Sequence, residues 1–390
     1  MTLREYRYLV IGGGMTGDAV CQGIREVDSD GTIVLVGEEQ HAPYKRPPLT
    51  KGLWKGGDEA KIWRNTGERG VDLHLGRQIV SLDPESNHAV DDAGDEYRYE
   101  RVILATGGSP RRLGGDEADV VYYRTLDDYR RIRALADGGA RFTVIGGGFI
   151  GSEIAAALRS QGREVTMVFP EPGIGWRTFP ADLAHAVAAY YREQGVEILA
   201  DALVSSVEGT RVHLDDGRTL AADVVVAGLG IAPRTALAEE AGLPIDDGIV
   251  VDDRGRVPGF GNVFAAGDVA HFPMAGLGRS GRVEHEDHAN SHGRLVGANA
   301  AGGDTPYDRL PFFYSDLFDL GYEAVGEVDS RHATVELWLE PHRKGIVAFV
   351  DAESRPRGFL LWNVWDKVDS ARELIVAAEP VTEEDLRELA

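Results

Sequence analysis

The chain has 390 residues, which at roughly 150 residues per domain implies two or three separate cores. Hydrophobic residues make up 43% and charged residues 27%, a balance that excludes a disordered chain. The formal charge of −23 opposes a polyphosphate backbone, and the single cysteine, Cys21, excludes a disulfide scaffold, a Cys-x-x-Cys redox pair and a thiolate metal cluster.

The start, Met1 to Tyr6, runs within a few residues into the apolar strand Tyr8-Leu9-Val10-Ile11, which leaves no room for a leader peptide. No apolar run approaches the ~18 residues of a membrane helix, so a soluble cytoplasmic protein is expected. Gly12-Gly13-Gly14-Met15-Thr16-Gly17 follows the strand, then a helix through Cys21, Ile24 and Val27, then the strand Thr32 to Val36 ending at Gly37-Glu38. Arg101 to Ala105 is another buried strand closing on Thr106-Gly107-Gly108. The first order then returns. Phe142 to Ile145 precedes Gly146-Gly147-Gly148-Phe149-Ile150-Gly151, a helix with Ile154, Ala155 and Leu158 on one face follows, and Val165 to Phe169 leads to Pro170-Glu171. Asp223 to Ala227 ends at Gly228-Leu229-Gly230, and Asn262 to Ala266 ends at Gly267-Asp268 before a helix from His285 to about Ala301. From about Thr305 the chain alternates short strands (Thr334 to Leu339, Gly345 to Val350, Gly358 to Asn363) with a closing helix around Ser370 to Ala378.

A repeated strand–glycine turn–helix–strand unit, spaced too widely for a solenoid, reads as two doubly wound domains. In each Gly-x-Gly-x-x-Gly the first glycine (Gly12, Gly146) makes the turn, the second (Gly14, Gly148) lets a pyrophosphate approach the backbone, and the third (Gly17, Gly151) lets helix pack on strand. The pyrophosphate would rest on the helix N-terminus, where unpaired N–H groups and the dipole favour an anion. Glu38 lies 21 residues past Gly17 and Glu171 lies 20 past Gly151, the positions of a carboxylate that accepts from a ribose diol. Glu171 would repel a 2′-phosphate, so NADH is expected over NADPH. Two dinucleotide sites in a chain with one cysteine point to one tightly held flavin and one exchanging nicotinamide. His285, His288 and His292 share a helix face at spacings of three and four, but no further ligand cluster completes a metal site, and none is expected.

The order of these motifs resembles the two-dinucleotide flavoprotein reductases: FAD fingerprint, NAD fingerprint, then an Ala-Ala-Gly-Asp segment returning to the FAD. Disulfide reductases of that superfamily carry a cysteine pair after the first unit, and the peroxidase and oxidase relatives a single cysteine. Here that stretch is Tyr44-Lys45-Arg46-Pro47-Pro48-Leu49-Thr50-Lys51-Gly52-Leu53-Trp54. It resembles the apoptosis-inducing-factor family and its bacterial relatives, and more loosely the NADH-dependent ferredoxin reductases. The likeness continues through Ala105 to Arg111, Gly151-Ser152-Glu153, Arg282 to His288, Phe313 to Asp316 with Gly321 to Ala324, and Leu361 to Asn363.

That resemblance implies the α/β fold of the glutathione-reductase type: an FAD domain (1–115 and 240–305), an NAD(H) domain (116–239) and a C-terminal α+β domain (306–390). It implies that Asp268 accepts from the flavin ribityl or pyrophosphate region. Arg46 and Arg111 would hold FAD phosphate or ribose edges, a task for which a planar guanidinium fork is suited. Ala105, Thr106 and Gly107 would line the FAD, Glu284 and His285 its pyrimidine edge. Tyr314 would stack on the nicotinamide or cover the flavin. Lys51 would lie near the reactive flavin nitrogen, paired with Glu153 on the nicotinamide helix. Phe149, Ile150, Gly230 and, past Glu171, Arg177 would complete the NAD side. The long C-terminal insertion of the mammalian members is absent, since Val335 to Glu340 turns through Pro341-His342-Arg343-Lys344 straight into the next strand. With that and the acidic charge, apoptosis, import and DNA binding are not carried over. The expected activity is hydride transfer from NADH to FAD, then electron transfer to a ferredoxin-like protein, a quinone or oxygen. The alternative is a redox sensor whose reduced flavin–NAD complex alters dimerisation or partner binding. No nucleic acid or membrane partner is expected, and the chain would be a monomer or homodimer. An acidic ferredoxin would need a basic dock such as Arg124, Arg130, Arg131 and Arg133, although these read more readily as a solvated helix face.

Overall fold

The computed structural model describes residues 2–114 and 119–390; the domain boundary expected at 115/116 lies outside the described residues. The chain divides into two compact units. One comprises Met1–Lys45, Asp58–Ser109 and Ala232–Pro311, the other Arg46–Gly57, Pro110–Ile231 and Phe312–Ala390.

The first unit is built on a parallel sheet in the order Val71–Leu75, Ile33–Gly37, Leu3–Ile11, Glu96–Leu104, with Val263–Ala265 beside the end of Glu96–Leu104. Tyr8 to Ile11 and Ile33 to Gly37 are buried throughout, as strands covered on both faces must be. The first strand begins five residues before the apolar run, because Leu3 to Arg7 alternate between exposed and half-buried positions at the sheet rim. Ile79–Asp83 and His88–Asp91 add antiparallel pairs to the first half of Glu96–Leu104, a mixed edge absent from the expectation. Helix Met15–Val27 crosses helix Glu286–Ala300 at very short range, since a Cβ on Gly23 would stand 1.8 Å from the Arg294 carbonyl oxygen. Val10, Ile24, Leu35, Ile103, Phe264 and Val296 form the core between sheet and helices.

The second unit holds a parallel sheet ordered Glu197–Leu199, Val165–Val168, Phe142–Ile145, Val224–Ala227, Val120–Tyr122. Helix Phe149–Ser160 buries every residue from Gly151 to Leu158. A small antiparallel sheet (Val204–Glu208, Arg211–Leu214, Thr219–Ala221) packs its apolar side into the same core. The C-terminal five-stranded antiparallel sheet runs Phe312–Leu317, Leu320–Gly326, Pro356–Trp362, Lys344–Val350, Ala333–Glu340. Trp362 is fully buried there, stacked on Tyr322 with ring centres 5.5 Å apart. Helices Val368–Ala377 and Glu383–Leu389 close the chain. Two doubly wound sheets plus a C-terminal α+β section match the expected fold class. No helix among the described residues is long and apolar enough to cross a membrane.

Candidate functional site

The two glycine turns have the same construction. Gly12 holds φ +127°, and a Cβ there would sit 2.1 Å from the Ala105 carbonyl oxygen; one on Gly17 would sit 2.0 Å from the oxygen of Gly12. In the second unit Gly146, at φ +110°, would clash with the Gly228 oxygen at 2.4 Å, and Gly151 with the Gly146 oxygen at 2.0 Å. Gly14 and Gly148 differ from these, because an added Cβ would meet nothing within 4 Å. Each stands at the start of its helix, which carries no side-chain cap. Each helix N-terminus, with its dipole, therefore faces an open cradle that only a missing side chain leaves free, and this fits a pyrophosphate.

Within the first unit the other FAD-side stretches converge on that turn. Ala105 backs onto Gly12, and Gly267, at φ +71°, backs onto the side chain of Thr16. Arg282, with only 7% of its side chain exposed, donates to the Asp268 carbonyl at 2.7 Å and pairs with Glu284 at 2.8 Å. It thus fixes two expected flavin-side residues at once. Arg234 forks between Glu38 (2.5 Å) and the Ser109 hydroxyl (2.8 Å), while its backbone bonds Thr106 and Gly107. Glu38 accordingly keeps one carboxylate oxygen on Arg234. Neither arginine was foreseen. Arg282 had a signal, standing two residues before Glu284; Arg234 had none.

His285 is half-buried at the head of helix Glu286–Ala300, and burial takes its imidazole down to about 4. His288 and His292 are buried in the core, their rings stacked at 4.7 Å, with Phe272 stacked on His288 at 4.8 Å. The Gly267 N–H donates to His292 Nδ1 at 3.2 Å, which puts that ring's proton on Nε2. Burial drives His292 down to about 3 and His288 well below its ordinary value. Both are neutral core groups under the Asp268 loop.

In the second unit Lys51 and Glu153 meet at 2.5 Å, with the carboxylate 6% exposed. Two hydroxyls outside the expectation join them: Thr50 donates to Glu153 Oε2 at 2.6 Å and Ser315 to Oε1 at 2.5 Å. Lys51 Nζ also lies 5.4 Å from the ring centre of Tyr314, which is 40% exposed. Phe149 and Ile150 stand partly exposed at the head of helix Phe149–Ser160, Phe149 edge-on to Phe313. Glu171 is paired with Arg177 at 3.3 Å, and Arg177 is almost wholly in solvent. The Gly230 carbonyl accepts from the Arg111 backbone N–H at 2.9 Å, and Arg46 donates to the Arg124 carbonyl at 2.7 Å. On helix Leu126–Asp137, Arg130 pairs with Asp127 and Arg133 with Asp137. That face is balanced by its own acids.

Two pyrophosphate cradles on two doubly wound sheets define a dinucleotide-dependent oxidoreductase fold. The chain belongs to the family described as pyridine nucleotide-disulphide oxidoreductase, whose model matches residues 6–293. It is an FAD-dependent NAD(P)H oxidoreductase, using FAD and NAD(H). It is similar to mitochondrial apoptosis-inducing factor 1 of Dictyostelium discoideum, 31% identical over 99% of this chain and 81% of that one. Monodehydroascorbate reductase 3 of Arabidopsis thaliana is 36% identical over 83% of this chain and 81% of its own. Among solved structures, the ferredoxin reductase for the CYP199A2 system from Rhodopseudomonas palustris superposes with a TM-score of 0.90 at 30% identity, covering 97% of this chain and 96% of that one. The apoptosis-inducing-factor and ferredoxin-reductase likeness read from the motifs agrees with this; the monodehydroascorbate reductase likeness was not foreseen.

Proposed function

We propose that the chain is a cytoplasmic NADH-dependent flavoprotein reductase that delivers electrons singly to a ferredoxin-type iron–sulphur protein, with no redox-active cysteine. The observation that carries this reading is the likeness to a ferredoxin reductase along the whole chain. FAD, when bound, takes a hydride and gives up its electrons one at a time. The chain's own part is placement. Gly12, Gly14 and Gly17 with Ala105 to Gly107 seat the FAD pyrophosphate, and Asp268, Glu284 and His285 line the flavin, braced by Arg282. Gly146, Gly148 and Gly151 seat the NADH pyrophosphate, Glu171 takes its ribose, and Arg177 and Gly230 complete the NAD side, while Arg46 and Arg111 hold FAD phosphate or ribose edges. Lys51, held by Glu153, is the cation that favours reduced flavin, and Tyr314 covers the ring system. The three-domain division at 115, 239 and 305 is part of the same reading. Cys21 lies buried on the first helix, where burial pushes its thiol up and away from the reactive thiolate. This supports a route without a thiol.

A second reading has a specific observation behind it. The higher identity to a monodehydroascorbate reductase favours a small organic radical as the one-electron acceptor. Reduced protein mixed in stopped flow with a [2Fe–2S] ferredoxin and, separately, with monodehydroascorbate generated in place separates the two. Faster reoxidation by ferredoxin supports the first reading, and faster reoxidation by the radical replaces it with the second.

A further inference from the structure

Glu153 is held by more than its ion pair. Three donors reach its carboxylate from two separate stretches of chain: Lys51 Nζ and Ser315 Oγ at 2.5 Å from Oε1, and Thr50 Oγ1 at 2.6 Å from Oε2. Thr50 and Ser315 are 7% and 1% exposed, so water does not replace either hydroxyl. Tyr191, on helix Ala181–Glu193, and Tyr322, on strand Leu320–Gly326, also act on Glu153. Both phenols are raised well above their ordinary value, first by burial and then by the charge of Glu153, so they stay neutral and add no negative charge. Strand Phe312–Leu317 alternates faces, so the chain that turns Ser315 inward to Glu153 turns Tyr314 outward beside Lys51.

We propose that Thr50 and Ser315 are positioning residues for hydride transfer, holding the Glu153 carboxylate in one orientation and through it fixing Lys51. This rests on the reading of Lys51 as the cation beside the flavin. Without the hydroxyls the carboxylate is free to turn, and its hold on the Lys51 ammonium loosens.

The test uses the FAD-loaded protein with Thr50→Val, Ser315→Ala and their combination, Ser315→Thr as the hydroxyl-retaining control, and Lys51→Met as the benchmark. Flavin reduction by NADH is followed in stopped flow, together with the flavin midpoint potential. Loss of two hydrogen bonds to a buried carboxylate predicts a rate at least about tenfold below wild type in the double variant. The potential should shift negative in the same variant. Ser315→Thr should keep the wild-type rate and potential, and Lys51→Met should be slow. A purely structural role would lower thermal stability without moving the potential. A wild-type rate and potential in the double variant, with Lys51→Met slow, overturns the positioning role and leaves the Lys51 reading intact. If Lys51→Met is as fast as wild type, that reading fails and takes this one with it. Should the double variant lose its FAD, Thr50→Val alone, which preserves side-chain volume, decides on the same two readouts.

Discussion

Gly148→Ala separates the binding role of the second glycine turn from its folding role. Gly148 has φ −84° and ψ −167°, extended backbone that alanine adopts freely, and a Cβ there meets no protein atom within 4 Å. Folding stability should therefore change by no more than about 0.5 kcal/mol. In the bound state the same methyl occupies the approach of the NADH pyrophosphate to the helix N-terminus. Pushing the phosphate back by about a carbon radius breaks one or two charge-assisted N–H bonds, each contributing about 1.5–3 kcal/mol. The combined loss is about 3 kcal/mol, or roughly a hundredfold in NADH affinity. Gly151→Ala is the contrast. Its Cβ would stand 2.0 Å from the Gly146 oxygen, so the helix must move off its strand and the fold itself should fail. The assay is anaerobic NADH titration of flavin absorbance, alongside thermal melting and FAD content. Gly148→Ala with wild-type NADH affinity would refute the assignment of that turn to the nicotinamide dinucleotide. Loss of FAD with NADH affinity retained would reverse the assignment of the two sites.

Glu171→Gln removes the charge facing the expected ribose 2′ position, so NADPH should gain about tenfold against NADH in kcat/KM; an unchanged ratio places the selector elsewhere. Arg282→Gln withdraws the bonds to the Asp268 carbonyl and Glu284, and FAD dissociation, followed by fluorescence on dilution, should accelerate about tenfold or more. Unaltered FAD retention would show that the brace is not needed. His292 is neutral when folded, its pKa lowered from 6.5 to about 3. The unfolded chain alone takes up that proton as pH drops below 6.5, so stability is full above that pH and declines below it, by up to about 1.4 kcal/mol per pH unit. His292→Asn keeps an acceptor for the Gly267 N–H but removes this slope. Urea unfolding between about pH 4.5 and 7 should show a flatter dependence, and the same slope in both proteins would mean that His292 is not a buried neutral group.

The parallel strands and their helices were legible because both faces of each strand are covered and the apolar runs are continuous, as in Tyr8 to Ile11 and Phe142 to Ile145. The hairpin Ile79–Asp91 was not, because its strands are short and half exposed and carry no strong period. The glycine turns could be read because the backbone contacts that need them are local in sequence. Lys51 and Glu153 came only with a family likeness. Thr50, Ser315, Arg234 and Arg282 escaped because their meaning lies in partners that the fold brings together: Ser315 is 162 residues from Glu153, and Arg234 is 196 from Glu38. Hydroxyl and guanidinium groups are common enough that no local pattern distinguishes Thr50, Ser315 or Arg234 from others, and Arg282 had only its nearness to Glu284.

The most direct test of the central claim is an anaerobic titration of the purified protein with NADH, followed by mixing with ferredoxin. The account predicts a yellow protein that one equivalent of NADH bleaches and that ferredoxin reoxidises in two single-electron steps, with Cys21→Ser behaving as wild type. A colourless protein, or one whose flavin NADH leaves oxidised, would contradict it.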